Sequence, residues 1–153
     1  YFGGMLLGSS KNAFYKPHNN SRNKILNTLK DRFEYNKKKL SFENYLINIK
    51  KFKFVICPPG FGIDTHRCWE SLLVGSIPIM YHTPLDSLFQ KLPVLLIDDF
   101  SILTEKYLNE QYEIIMKKEY DFSILYTDYW DKEFENSIIL LVKDTLKFFQ
   151  KYN

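Results

Sequence analysis

The sequence predicts an α/β fold in which a mainly parallel sheet is covered by helices. Three apolar runs without polar alternation, residues 54–57, 77–80 and 94–97, are typical of central strands buried on both faces. Amphipathic segments and short connections separate these runs, which is the pattern of strand–helix–strand units. With 153 residues, of which 45% are hydrophobic, the chain has the size of one ordinary domain and can bury a core.

Each element is predicted from local pattern. Strands are assigned where short apolar runs end in Pro, Gly or Asp, and helices where apolar residues recur at helical spacing behind a capping residue. The predicted strands cover residues 1–7, 52–57, 77–81 and 93–98. The predicted helices cover residues 21–33, 41–51, 65–75, 84–91, 101–118 and 132–151. Ser21 and Ser41 are the expected N-caps of the first two helices, and Pro84 lies in the first turn of the fourth.

Charge and composition exclude several classes of function. A net charge of +3, from 21 basic and 18 acidic residues, is too balanced to favour nucleic acid as a partner. Cys57 and Cys68 lie in apolar surroundings and are expected to be buried free thiols, and the three histidines show no metal-ligand spacing. No apolar stretch approaches the roughly 20 residues of a membrane helix, and no secretory signal is visible. The chain starts at Tyr1 directly in a strand-like run, so we expect it to be a piece of a longer protein.

The run GFGIDTHRCWESLLVGSIPIM, residues 60–80, concentrates polar side chains at a predicted helix start. On a helix that begins near Thr65, with His66 at zero, Glu70 lies at about 40° and Arg67 at about 100°. The apolar residues of this helix share the opposite face, so it has one side for the sheet and one polar side. Asp64 or Thr65 is expected to cap the helix.

This polar side has the chemistry of an anion site. In open parallel sheets ligands bind at the carboxyl ends of the strands, which directs attention to loops 8–20, 58–64 and 81–84. Glycines allow close approach of the backbone, and a helix N-terminus attracts phosphate. Arg67 can bind phosphate oxygens with its forked guanidinium, His66 can donate a further hydrogen bond, and Glu70 can accept from hydroxyl groups such as those of a ribose.

Simpler interpretations of the same residues stay open at this point. Arg67 and Glu70 are three residues apart and can pair on a wet helix surface, and Asp64 can be only a cap. The chain has no Walker lysine motif, and its Gly-Phe-Gly is not the full dinucleotide fingerprint. The Asp98–Asp99 pair, at a strand end before Ser101, is better explained as capping than as a metal site.

Residues 54–101, FVICPPGFGIDTHRCWESLLVGSIPIMYHTPLDSLFQKLPVLLIDDFS, resemble the C-terminal domain of exostosin-like glycosyltransferases. The matching residues are Phe54-Val55 before a Pro-Gly loop, Gly62 to Arg67, Trp69-Glu70, Gly75, Ile77-Pro78, Pro84-Leu85, and Leu92-Pro93 before Asp98-Asp99. Outside this stretch, YFGG and SRNKIL look like the opening of the family's domain, and TDYWDKEF looks like its late Tyr-Trp segment.

The resemblance implies one half of a GT-B architecture, a Rossmann-like three-layer sandwich. By that resemblance, residues 1–153 are a single domain that holds a nucleoside-diphosphate sugar, usually a UDP-sugar, with no cofactor and no obligatory metal. Arg67 and His66 would be the catalytic residues that stabilise the leaving diphosphate, and Glu70 a ribose or donor contact. The donor site would draw on Gly3, Arg22, Gly60, Gly62, Asp64, Thr65, Arg67 and Glu70.

Two departures from the family pattern qualify the expected reaction. Many retaining GT-B enzymes have a second glutamate at the position of Gly62. The glycine found here favours a reaction that inverts the configuration at the anomeric carbon. The family's N-terminal domain, which contributes the site for an acceptor glycan or glycoprotein and often the catalytic base, is not in this chain. The expected partners therefore include that domain. The compartment stays open, because animal and plant relatives work in the Golgi lumen while bacterial or viral ones need not.

Two other classes of function compete with glycosyl transfer. A binding module would hold a nucleotide sugar or glycan without turnover, as the missing half suggests. A structural α/β domain would use the polar helix face to contact a neighbouring domain.

Overall fold

In the part of the chain that the structure describes, a three-stranded parallel sheet organises the first of two compact units, which divide after Tyr120. The structure is a computed structural model that describes residues 21–33, 40–60 and 62–152. The strand predicted over residues 1–7 lies outside these residues. The strands are β1 (Phe54–Ile56), β2 (Ile77–Tyr81) and β3 (Leu95–Ile97). They lie in the order β1–β2–β3 with β2 in the centre, so the predicted parallel sheet is confirmed.

The described residues contain six α-helices. They are α1 (Ser21–Leu29), α2 (Phe42–Ile49), α3 (His66–Leu73), α4 (Asp86–Phe89), α5 (Glu105–Ile115) and α6 (Thr127–Tyr152). Helices α3 and α4 are the connections from β1 to β2 and from β2 to β3, as parallel strands require. The predicted cap of α2 is confirmed, because the Ser41 hydroxyl accepts a hydrogen bond from the Asn44 N–H at 3.3 Å.

Helices pack on both faces of the sheet. On one face, Ile25 of α1 and Leu108 of α5 join Phe54, Ile56 and other strand residues in the main hydrophobic cluster. Successive strand residues point to opposite faces, so Cys57 points to the other face. There its thiol lies 3.8 Å from the hydroxyl of Ser71 in α3. The first unit is therefore a mixed α/β structure compatible with a Rossmann-like fold.

The start of α5 differs most clearly from the prediction among the helices of the first unit. The helix expected over residues 101–118 begins only at Glu105, after a 3₁₀ turn over Phe100–Ile102. Thr104 stops the two from fusing, because it is extended and its hydroxyl accepts from the Tyr107 N–H at 3.1 Å. Asp99 caps the 3₁₀ turn by accepting from the Ser101 N–H at 2.8 Å, which confirms capping as the role of this aspartate.

The second unit, from Asp121 onward, consists mainly of helix α6. This helix begins at Thr127, before the predicted start at residue 132. The indole N–H of Trp130 donates to the carbonyl of Ile124 at 2.9 Å, which joins the first turn of α6 to a 3₁₀ turn over Ser123–Leu125. Among the residues that the structure describes, no helix combines the length and apolarity needed to cross a membrane.

The end of α3 gives a first testable prediction. Gly75 follows the helix with φ of +84°, and a Cβ built there meets nothing within 4 Å. Gly75→Ala should therefore destabilise the protein through backbone strain alone, by about 1 kcal/mol. Gly75→Asn, which tolerates the left-handed region, should cost less. Urea unfolding followed by circular dichroism measures both, and equal stability of Gly75→Ala and the wild type would refute the assignment.

Candidate functional site

The turn that leaves β1 lies at the carboxyl edge of the sheet and leads into α3. Pairing with the central strand continues past β1, because the Cys57 N–H donates to the Ile79 carbonyl at 2.9 Å. Pro58, Pro59 and Gly60 then run through buried positions, and the Gly60 N–H donates to the Gly62 carbonyl at 3.2 Å. The turn therefore rests on the sheet and holds the start of α3 beside the strand ends.

Arg22, in the first turn of α1, reaches across to this turn. Its Nε donates to the carbonyl of Pro59 at 3.2 Å. A Cβ on Gly60 would lie 2.9 Å from Arg22 Nη2 and 3.2 Å from Thr65 Cγ2. Gly60 is thus required for the close approach of a protein guanidinium, a reason that the sequence alone did not suggest. The structure therefore brings Arg22, Gly60 and Thr65 close together.

Arg67 brings a second guanidinium to the same place. Its Nε and Nη1 atoms are buried, so the side chain does not extend into solvent from the helix surface. Burial lowers the pKa of Arg22, and the positive charge of Arg67 lowers this pKa further. Burial raises the pKa of the Cys57 thiol to about 12, with the Arg67 charge acting in the opposite direction. Arg67 is therefore close enough to both Cys57 and Arg22 for its charge to act on each of them.

Glu70 is held by a residue that the sequence analysis did not single out. The phenol of Tyr45, on α2, donates to Glu70 Oε2 at 2.9 Å. The Arg67 guanidinium also acts on this phenol, through its charge and through a side-chain hydrogen bond. Tyr45 thus joins Arg67 and Glu70, two of the predicted site residues. Its spacing to Ile49 is that of an ordinary buried helix stripe, so no local signal marks it.

The predicted capping of α3 is only partly realised. Thr65 occupies the N-cap position in an extended conformation, but its side chain makes no capping hydrogen bond. Asp64 does not cap either, because its Oδ2 accepts from the indole N–H of Trp69 at 2.9 Å. Trp69 in turn packs against Phe89 of α4, with the ring centroids 5.3 Å apart. Asp64 therefore secures the helix start through Trp69, and the Thr65 hydroxyl is not used in capping.

The remaining predicted residues are less closely joined to this cluster. His66 is exposed at the start of α3, and Gly62 is exposed in the preceding turn. A Cβ on Gly62 would lie 3.3 Å from the Asp64 carbonyl oxygen, an approach that a side chain would crowd. Gly3 lies outside the described residues. The structure therefore links Arg67 and Glu70 through Tyr45 and brings Arg22 to the glycine turn, whereas His66 and Gly62 are exposed.

A histidine–aspartate pair follows the central strand at the same sheet edge. His82 Nδ1 lies 2.6 Å from Asp86 Oδ2, and the Thr83 N–H donates to Asp86 Oδ1 at 2.7 Å. Burial opposes ionisation of Asp86, but these contacts with His82 and Thr83 lower its pKa overall. The spacing of four residues between His82 and Asp86 was visible in the sequence, yet it did not distinguish this pair from a helix cap.

No cluster of three or more His, Cys, Asp or Glu side chains suited to a metal ion occurs within the described residues. Both cysteines are free and buried, as predicted.

No family model matches the chain, and no curated protein is significantly similar to it.

The bond between Trp69 and Asp64 gives a second prediction. Trp69→Phe keeps the ring contact with Phe89 but removes a hydrogen bond to a carboxylate, which should lower the free energy of unfolding by about 1 kcal/mol. Asp64→Ala should add little to this loss in the double variant, because both changes break the same bond. Trp130→Phe is the matched control, with an exposed neutral bond worth less than about 0.5 kcal/mol. Fully additive effects of Trp69→Phe and Asp64→Ala would show that the two side chains act independently.

Proposed function

We propose that this chain is the nucleotide-sugar-binding half of a GT-B glycosyltransferase and holds a nucleoside-diphosphate sugar, a UDP-sugar by its resemblance. The observation that carries the proposal is that Arg22 donates to the Pro59 carbonyl in the glycine turn, while Arg67, in the first turn of α3, is close enough for its charge to lower the pKa of Arg22. Two guanidiniums held close together favour an anion with more than one charge. A diphosphate has that charge, and pairs of its oxygens can accept the two parallel hydrogen bonds of a planar arginine fork.

In the proposed site, the diphosphate lies against the start of α3, where backbone N–H groups and the helix dipole also favour negative charge. Glu70 is an acceptor on the same helix and suits the hydroxyl groups of a ribose or of the donor sugar. The exposed His66 can approach the phosphates from solvent. The site would then have a cationic part for phosphates and an acceptor part for hydroxyls, which are the two ends of the polar half of a nucleotide sugar.

The proposed reaction transfers the sugar to an acceptor hydroxyl. The bond between the anomeric carbon and the β-phosphate oxygen breaks, and the diphosphate leaves with the electron pair. Arg22, Arg67 and the start of α3 would stabilise the negative charge that grows on the diphosphate in the transition state. The acceptor oxygen forms the new bond and loses its proton to a base, which we expect on the N-terminal half of the GT-B pair.

The phosphate role of the arginines predicts a specific pattern of binding. Arg67→Ala and Arg22→Ala should each weaken UDP at least about tenfold in calorimetry, because each removes a charged contact. The affinity for GDP, if GDP binds, should fall by a similar factor. Any affinity for uridine, which has no phosphates, should change little. Lys30→Ala removes an exposed charge beyond the end of α1 and is the matched control. UDP binding that is unaffected by Arg67→Ala would refute the proposed contact.

Gly60 gives an independent test of the position of Arg22. The added methyl group of Gly60→Ala meets the flexible end of Arg22, so the guanidinium can move at small cost in stability. We expect UDP affinity to fall toward that of Arg22→Ala, while stability changes by less than about 1 kcal/mol. Gly75→Ala should do the opposite, with lower stability and unchanged affinity. Wild-type affinity in Gly60→Ala would mean that Arg22 does not need its observed position.

Turnover separates the proposed enzyme from a binding module. Release of UDP from a UDP-sugar, or transfer of the sugar, by this chain or by the chain combined with its N-terminal half would support the enzyme. Binding of the nucleotide sugar without turnover in both preparations would favour the module. Absence of any nucleotide-induced rise in melting temperature would favour a purely structural domain.

A further inference from the structure

The position of Glu70 depends on a buried tyrosine from another helix. Tyr45 is only 9% exposed, and its hydroxyl lies 2.9 Å from Glu70 Oε2. Its ring also contacts that of Phe42, with the centroids 6.3 Å apart. Helix α2, which carries Tyr45, is fixed at its end by a buried hydrogen bond of 3.0 Å from the Ser76 hydroxyl to the Ile49 carbonyl. The phenol oxygen is therefore held by packing.

The hydrogen bonds of the phenol have a fixed direction. Burial raises the pKa of Tyr45 well above its ordinary range; the Glu70 carboxylate contributes to this rise, and Arg67 opposes it. Tyr45 thus keeps its proton at ordinary pH and donates it to Glu70, while its oxygen accepts from Arg67. A phenol has one O–H, so this arrangement fixes which Glu70 oxygen is engaged. Oε2 is bound to Tyr45, and Oε1 is the oxygen left to accept from a hydroxyl group.

We propose that Tyr45 is a positioning residue which, by holding Glu70, makes the site prefer a ribonucleotide to a dideoxyribonucleotide. This inference rests on the proposed function, because the hydroxyls are those of the ribose in a bound nucleoside diphosphate. A site built to accept hydrogen bonds from a ligand rejects the analogue that lacks the donors, since its own acceptor then stays unpaired. A carboxylate that is free to rotate loses part of this discrimination, because it must be ordered again at each binding event.

The test compares UDP with 2′,3′-dideoxy-UDP, which keeps the base and the phosphates but lacks both ribose hydroxyls. The wild type should bind UDP about tenfold more tightly than the analogue. Tyr45→Phe should lower the affinity for UDP severalfold and change the affinity for the analogue by no more than about twofold. Most of the preference for UDP should therefore be lost. Tyr120→Phe is the matched control, because it removes a hydroxyl with a 2.9 Å bond to the Ile115 carbonyl and should leave the preference unchanged.

Glu70→Asp tests the same bond from its other partner. The shorter side chain keeps the charge but cannot reach the phenol in its observed position, so it should lose the preference as Tyr45→Phe does. This variant does not change α2. It replaces Tyr45→Phe as the test if circular dichroism shows that Tyr45→Phe does not fold. A tenfold preference that survives in either folded variant would overturn the inference, as would equal weakening of both ligands by Tyr45→Phe.

The possible failures can be told apart. If the wild type binds neither UDP nor its analogue, the proposed function fails and the positioning role falls with it. If the wild type binds UDP and depends on Arg67, but its preference is unaffected by Tyr45→Phe, only the role of Tyr45 fails.

Discussion

The candidate site depends on the parallel pairing of β1 with the central strand β2. Two parallel strands cannot be joined by a tight turn, so the chain leaves β1 at its carboxyl end, crosses one face of the sheet and enters β2 from its opposite end. Helix α3 makes this crossing, and its start must lie at the carboxyl edge. Burial of Cys68 and Leu72 fixes the rotation of the helix, which in turn sets where Arg67 and Glu70 lie.

The site combines groups that would not meet without this framework. Burial, and then the positive charge of Arg67, both lower the pKa of Arg22, so the fold keeps this cation in an unfavourable environment. The Pro59 carbonyl offsets part of this cost by accepting from Arg22, and Gly60 provides the space. The phenol of Tyr45 lies between a cation and a carboxylate and bonds to both. Such a cluster has a cationic side and an acceptor side, and this polarity is the physical basis for proposing a ligand with phosphates and hydroxyls.

Much of the fold was predictable because its signals are local. The three strands after residue 50 were found from apolar runs without alternation, and the caps at Ser41 and Asp99 from residue type and position. The start of α5 was predicted wrongly, because helical periodicity runs through the 3₁₀ turn and only the extended conformation of Thr104 separates the two. For the candidate site, the sequence indicated Arg67 and Glu70 through the polar face of α3, and Arg22 only through resemblance. It missed Tyr45, whose spacing is that of any core residue.

By itself, the sequence determined the α/β class, the crossing helix with its polar face, and the glycine turn before it. These features follow from periodicity and residue type within a few neighbours, which is the range over which backbone geometry acts. The tertiary structure decided that Arg22 reaches the Pro59 carbonyl, 37 residues away, and that Tyr45 holds Glu70, 25 residues away. Such contacts depend on how α1 packs against the sheet and how α2 packs against α3. That packing comes from the burial of many side chains together, which no short stretch of sequence encodes.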